Sequence, residues 1–94
     1  MTDQAQLRKI QYRASHRGTR EADAMIGGFF EAHGHEWDAK QIAWFERLLG
    51  EQDVDIMGWA MKTIDVPTAF QGDMMTQLQQ LDFITVPHGI EDMD

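Results

Sequence analysis

The strongest constraint on the fold is a run of apolar residues at helical spacing in the first half of the chain. From residue 22 onward they fall at i, i+3, i+4, i+7, i+8 and i+11, which places them on one face of a helix. This stripe consists of Ala22, Met25, Ile26, Phe29, Phe30 and His33. No stretch of four or more residues alternates between polar and apolar, as a half-buried strand does. The sequence therefore predicts an all-α fold.

Four further stretches show the same spacing, and several are bounded by residues that begin or end helices. They cover approximately residues 4–16, 38–50, 53–60 and 69–81. Asp38 and Gln41 have the spacing of a capping box, which predicts a helix start at this point. Gly18, Gly34 and Gly50 follow the first three patterns, and a glycine favours the end of a helix.

We expect these five helices to pack into a single compact bundle. At 94 residues the chain has room for one domain with one core, which we place at residues 1–81. Residues 82–94 contain a proline, a glycine and an acidic end, and we predict a flexible tail there. The fourth helix is expected to begin with Asp53 as its N-cap, and Asp55 lies in its first turn.

The distribution of charge limits the class of partner. The net charge is −8, yet residues 1–20 hold five basic residues against one acid. A basic helix can bind nucleic acid or anionic lipid, but the acidic remainder repels both, so we expect no nucleic-acid binding. No apolar run approaches the roughly 18 residues of a membrane span, and we expect no membrane insertion. The chain has no cysteine and no signal-like start, which is typical of a bacterial cytoplasmic protein.

Residues that could carry chemistry are few. The sequence has no phosphate-binding loop, dinucleotide fingerprint or hydrolase nucleophile motif. His33, His35 and Glu36 resemble a set of metal ligands, but His33 lies on the core stripe and Gly34 interrupts the helix. We therefore predict no metal site, no catalytic residue and no stably bound cofactor. On this interpretation the protein is not an enzyme.

A short polar stretch between the first two helices has two interpretations. If the second helix extends back by one turn, Arg17 and Glu21 are spaced i, i+4 and form a surface ion pair. Alternatively, the charged fork of Arg17, the bare backbone of Gly18 and the acid of Glu21 form a strip that contacts a partner closely. Periodicity alone favours the ion pair.

The same residues resemble the signature of a known family. Arg17-Gly18-x-x-Glu21 is similar to the RGxxE motif of the SdhE family, the FAD assembly factors of succinate dehydrogenase, also called succinate dehydrogenase assembly factor 2. Neighbouring residues extend the resemblance over roughly residues 9–81. They are Tyr12, Asp23, Phe29-Phe30-Glu31, Phe45-Glu46-Arg47-Leu48-Leu49, Asp53, Asp55, Ile56 and Trp59.

The resemblance implies a small five-helix bundle that binds the flavoprotein subunit of succinate dehydrogenase, and in some bacteria that of fumarate reductase. It implies that the protein promotes covalent attachment of FAD to a histidine of this partner. Arg17, Gly18 and Glu21 would form the partner-facing patch, with Arg20 and Asp23 beside it. The cofactor and the nucleophile both belong to the partner, so the helper needs only to bind and stabilise a competent arrangement.

The chain departs from the family pattern at a few positions. Ala22 stands where a larger aliphatic residue is usual, His16 where another basic residue often occurs, and Val54 where proline is frequent. The connection from Trp59 to Pro67 is about one residue longer. These differences affect packing and loop length rather than the Arg-Gly-Glu triplet.

A second functional class stays open. An antitoxin-like regulatory module would use the same strip to sequester a different protein. For either class we expect a monomer when the protein is free of its partner.

Overall fold

A computed structural model of the chain describes residues 3–83. Within them lie five α-helices and two short 3-10 helices, so the predicted all-α, five-helix fold is confirmed. The α-helices are α1 (Gln4–Ser15), α2 (Arg20–His33), α3 (Ala39–Leu49), α4 (Asp53–Ala60) and α5 (Asp73–Gln79). The 3-10 helices span Gly34–Glu36 and Thr68–Phe70. None of the helices in this part of the chain has the length and apolar character needed to cross a bilayer.

Side-chain caps set the starts of α2 and α3. The predicted capping box is present: Asp38 accepts a hydrogen bond from the backbone N–H of Gln41 at 2.9 Å, and Gln41 accepts one from the backbone N–H of Asp38 at 2.8 Å. Thr19 caps α2, where its hydroxyl accepts from the backbone N–H of Ala22 at 3.1 Å. Each bond satisfies a backbone donor that the helix itself leaves unpaired.

The core is built around the apolar stripe of α2. Ile26 and Phe29 are fully buried, as is Phe45 of α3. The ring centroid of Phe29 lies 4.9 Å from that of Trp37 and 6.0 Å from that of Phe45, within the range of favourable aromatic pairs. The indole N–H of Trp37 donates to the side chain of Gln77 at 3.0 Å. This cluster therefore holds α2, α3 and α5 together.

The last helix is shorter than the sequence predicts, and the expected start near Ala69 is wrong. Gly72 has a φ of +137°, a conformation that is incompatible with the α-helix and that glycine adopts readily. Helix α5 therefore begins at Asp73. At its other end Leu81 has a φ of +54°, so the helical path stops before it.

The residues before Gly72 form a short 3-10 helix with a buried phenylalanine instead of the first turn of α5. Phe70, in the second 3-10 helix, lies with its ring centroid 5.8 Å from Trp44 and 5.4 Å from Trp59. Gln79 of α5 donates from its side chain to the carbonyl of Trp59 at 3.1 Å. Phe70 thus joins α3 to α4, a contact that the local spacing of residues does not reveal.

The first two residues of the predicted tail pack against the bundle. The carboxylate of Asp82 lies 3.3 Å from Nε2 of His33, and the ring centroid of Phe83 lies 5.3 Å from that of Phe29. The packed part of the chain thus reaches residue 83. The rest of the predicted tail, residues 84–94, lies outside the described residues.

Helix α4 ends in a Schellman motif, which satisfies the last carbonyls of a helix. The backbone N–H of Thr63 donates to the carbonyl of Gly58 at 2.8 Å, and that of Lys62 donates to the carbonyl of Trp59 at 3.2 Å. Lys62 occupies the left-handed position of the motif with a φ of +64°. Glycine usually stands there, because a Cβ atom costs roughly 1–2 kcal/mol in that conformation.

We predict that Lys62→Gly stabilises the protein by about 0.5–1 kcal/mol, because glycine enters the left-handed conformation without a steric penalty. The expected rise in melting temperature, followed by circular dichroism, is roughly 2–8 °C. Lys9→Gly is the matched control, since Lys9 is an exposed residue inside α1 and glycine there should cost about 1 kcal/mol. A fall in melting temperature for both variants would contradict the prediction.

Candidate functional site

The candidate site lies at the four-residue connection between α1 and α2. Helix α1 ends at Ser15, and Nδ1 of the following His16 lies 2.8 Å from the carbonyl of Tyr12. Gly18 has a φ of +118°, where a residue with a side chain is strained. Thr19 then caps α2. The connection therefore consists of a helix C-cap, a glycine turn and a helix N-cap, with no additional linker.

Arg17 points into the protein and joins this connection to the junction between α3 and α4. Its Nε donates to the carboxylate of Asp53 at 2.7 Å. Its two terminal nitrogens donate to the backbone carbonyls of Leu49 and Glu51, at 3.0 and 3.1 Å. The side chain is only 11% exposed. Charge-assisted hydrogen bonds of this kind are about twice as strong as neutral ones, so Arg17 fixes two loops relative to each other.

Asp23 braces the same connection from the other side. Its carboxylate accepts a hydrogen bond from the backbone N–H of Arg17. It also lies in the first turn of α2, where the helix dipole favours an acid. The five predicted contact residues therefore form two groups. Arg17 and Asp23 hold the shape of the connection, whereas Gly18, Arg20 and Glu21 are exposed on its surface.

Two local expectations about these charged residues are wrong. Arg17 does not form the i, i+4 ion pair with Glu21, because α2 begins at Arg20 and the guanidinium pairs with Asp53 instead. Asp53 does not cap α4: Gln52 is the N-cap residue, without a side-chain bond, and Asp53 is the first residue of the helix. The Arg17–Asp53 contact spans 36 positions, a separation that helical spacing cannot detect.

Glu21 stands at the edge of a groove between the start of α2 and the outer side of α4. We call this the α2–α4 groove; its apolar lining consists of Val54, Met57, Met61 and Ile64. Within residues 3–83 the Glu21 carboxylate takes part in no ion pair. The site therefore offers a partner an open glycine backbone, a carboxylate and an apolar wall.

The groove was not anticipated from the sequence. Met57 is half-buried and lines the groove while also contacting the core. Val54 was noted only as a departure from the family pattern. The available signal was a second apolar spacing on α4, since Val54, Met57 and Met61 stand at i, i+3 and i+7.

The histidine-rich stretch after α2 makes packing and pairwise contacts. The His33 ring centroid lies 5.7 Å from that of Phe29, and its Nε2 faces Asp82. His35 lies 3.9 Å from the carboxylate of the neighbouring Glu36. In the described part of the chain, no three His, Cys, Asp or Glu side chains come together in a way that could hold a metal ion.

Comparison with known proteins relates the chain to flavin assembly factors. A family model described as flavinator of succinate dehydrogenase, Sdh5, matches residues 8–82. The FAD assembly factor SdhE of Acetobacter pasteurianus is 35% identical over 63 residues, which cover 67% of this chain and 58% of that protein. The mitochondrial succinate dehydrogenase assembly factor 2 of Dictyostelium discoideum is 29% identical over 72 residues, covering 77% and 51%. Its counterpart in Cryptococcus neoformans is 30% identical over 79 residues, covering 83% and 45%.

These matches concern a large part of this chain but a smaller part of the relatives. The chain spans about half the length of the curated relatives it matches. No solved structure matches the chain significantly. The region matched by the family model agrees with residues 9–81, over which the sequence resembles the SdhE family, and it contains all five predicted contact residues.

We predict that Arg17→Ala lowers the free energy of unfolding by about 2–3 kcal/mol, because it removes three charge-assisted hydrogen bonds and leaves Asp53 without its cation. Urea denaturation followed by circular dichroism measures the change. Arg20→Ala is the control: Arg20 is exposed and in no ion pair within residues 3–83, so its removal should change the stability by less than about 0.5 kcal/mol. Similar losses in both variants would mean that the Arg17 network contributes little.

Proposed function

The chain belongs to the Sdh5 family of flavinators of succinate dehydrogenase, and from this membership we propose that it binds the flavoprotein subunit of that enzyme and promotes covalent attachment of FAD. The names of its relatives, FAD assembly factor and succinate dehydrogenase assembly factor, support this proposal. The flavoprotein of fumarate reductase is proposed as a second partner of the same kind.

The observation that carries the proposal is an exposed surface on a braced connection. Gly18 is exposed, and a Cβ atom placed on it would have no heavy atom within 4 Å, so a partner can approach its backbone closely. Glu21 is exposed in the first turn of α2. Because Arg17 and Asp23 already fix the backbone between them, little conformational entropy is lost when a partner binds.

The five predicted contact residues accordingly take two roles in the proposal. Gly18, Arg20 and Glu21 touch the flavoprotein, while Arg17 and Asp23 act as positioning residues that hold the first group in place. This division differs from a simple contact strip. The Arg17 side chain is only 11% exposed and is already bonded to three internal acceptors, so few of its donors are available to a partner.

The proposed mechanism is conformational. The flavoprotein supplies both the FAD and the histidine to which it becomes attached, so the helper itself holds no FAD and is not an enzyme. It binds more tightly to the arrangement of the flavoprotein in which attachment proceeds, and thereby raises its population. A tenfold rise needs a preference of only about 1.4 kcal/mol, which a small contact surface can supply.

We predict that Gly18→Arg abolishes binding to the flavoprotein subunit, because it strains the backbone and places a long side chain on the contact surface. Gly72→Arg is a matched control. Gly72 also has a positive φ, is exposed and has open space around it, but it lies before α5. Both variants should lose similar stability, roughly 1–3 kcal/mol, and only Gly18→Arg should lose binding in a pull-down with purified flavoprotein. Equal binding by the two variants would remove Gly18 from the interface.

We predict that Glu21→Ala reduces covalent flavin in the flavoprotein while changing the stability of this protein by less than about 0.5 kcal/mol, because Glu21 is exposed and has no ion pair within residues 3–83. The measurement is in-gel flavin fluorescence of the dehydrogenase subunit in cells that lack the protein and carry either variant. Glu31→Ala, at another exposed acid of α2, is the control and should behave as wild type.

The same cells test the proposed function itself. Without any copy of the protein, the flavin fluorescence of the subunit should fall strongly, and the wild-type gene should restore it. An unchanged signal would reject the assembly role. Recovery of a different protein with the wild-type bait, and no flavoprotein, would favour an antitoxin-like regulatory module.

A further inference from the structure

Helix α4 is apolar on two faces, of which the bundle covers one. On the inner face Ile56 and Trp59 are almost completely buried. On the outer face Val54, Met57 and Met61 follow each other at i, i+3 and i+7 and line the α2–α4 groove. A helix that is apolar all round is normally covered on all sides. Within residues 3–83 nothing closes the groove over its outer face.

Among residues 3–83, the large exposed apolar side chains concentrate in this groove. Val54 is 68% exposed, Met61 48% and Ile64 41%. They are three of the four large hydrophobic side chains that are highly exposed within the described residues, the fourth being Tyr12. Single exposed apolar residues are ordinary on protein surfaces, whereas a contiguous group marks an interaction site.

The backbone after α4 shapes the groove. The Schellman motif folds the chain back at Lys62, and the side chain of Ile64 then lies directly on Gly58. A Cβ atom at Gly58 would overlap Cγ1 and Cδ1 of Ile64. Ile64 therefore packs onto the helix only because position 58 has no side chain, and this contact forms one end of the apolar wall.

The groove is continuous with the surface around Gly18. Thr19 and Glu21, from the start of α2, form its opposite side. The Arg17–Asp53 ion pair, with a separation of 2.7 Å, connects this side to the start of α4. The two sides are thus held at a set distance by a bond inside the protein, as in a preformed binding site.

We infer that the α2–α4 groove receives a segment of the flavoprotein subunit that presents apolar side chains next to a basic residue. This inference rests on the proposed function and extends its contact surface from Gly18 to the outer face of α4. The apolar side chains cover Val54 and Met61. The basic residue pairs with Glu21, the acid at the edge of the groove that has no ion pair within residues 3–83.

Charge argues against other occupants of the groove. A second copy of this chain would bring another net charge of −8 toward an acidic edge, which disfavours self-association. An anionic membrane surface is repelled for the same reason. A partner segment with a basic residue is attracted, and its apolar part gains by burial.

The first test replaces the apolar wall with charges of both signs. Val54→Asp and Met61→Lys should each weaken binding of the purified flavoprotein subunit by about tenfold or more, since both remove apolar contact at the centre of the groove. Ala43→Asp and Ala43→Lys are the controls at an exposed position of α3 outside the groove, and should change the dissociation constant less than about twofold. Melting curves establish that each variant is folded.

A second measurement does not depend on disruptive variants. The chain has no cysteine, so Val54→Cys and Ala43→Cys each introduce a single thiol. Mass spectrometry of this small chain then follows alkylation of that thiol alone. Saturating flavoprotein should slow alkylation of the Val54→Cys thiol about tenfold or more, by covering it, and leave the Ala43→Cys thiol unchanged.

The outcomes separate this inference from the proposed function. In one outcome, wild type and the controls bind and Glu21→Ala weakens binding, but the Val54 and Met61 variants bind normally and the Val54→Cys thiol is not protected. This result would mean that the groove is not used, while the proposed function stands. If wild type fails to bind the flavoprotein, both proposals are wrong. Protection of the Val54→Cys thiol that rises with the concentration of this protein alone would overturn the inference in favour of a second copy. Protection that appears with phosphatidylserine vesicles would overturn it in favour of a lipid surface.

Discussion

The guanidinium of Arg17 is the interaction on which the functional surface depends. The Arg17 side chain is 11% exposed, and a charged side chain is costly to bury unless its donors are satisfied. Asp53 and two backbone carbonyls accept hydrogen bonds from it. The same bonds determine where the α1–α2 connection lies relative to α3 and α4. Through Asp53 they also tie the connection that carries Gly18 to the start of α4, which forms the other side of the groove.

The bundle itself could be predicted because its determinants are local. The stripe on α2 is set by spacing within one helix, and the capping box of Asp38 and Gln41 by three positions. The predicted start of the last helix was wrong because contacts between residues distant in sequence determine the structure there. Phe70 leaves the helical pattern to pack between Trp44 and Trp59, and the positive φ of Gly72 allows that departure. Spacing within a segment carries no information about such partners.

The candidate site was predicted along the chain only through the family resemblance, and the structure shows how its residues are organised. The sequence placed Arg17 and Glu21 on the same face of an extended helix. In the fold, the Arg17 side chain points inward and Glu21 is exposed. The groove was missed because both faces of α4 are apolar. Such a helix shows no contrast between an inner and an outer stripe, so the unpaired face becomes visible only once the other elements are in place.

Two of the three shortest hydrogen bonds from the Arg17 side chain end on main-chain carbonyls, those of Leu49 and Glu51. A carbonyl is present whatever side chain stands at its position, so Glu51 can change identity without loosening the arginine, whereas Leu49 is also constrained by its buried side chain. What the arrangement does not tolerate is a change of length between α3 and α4, because one residue more or less would displace the Glu51 carbonyl and the Asp53 carboxylate relative to the Leu49 carbonyl at the end of α3. The length of the junction is thus more tightly constrained than the residue at position 51, while Arg17, Asp53 and the buried Leu49 are specified by their side chains.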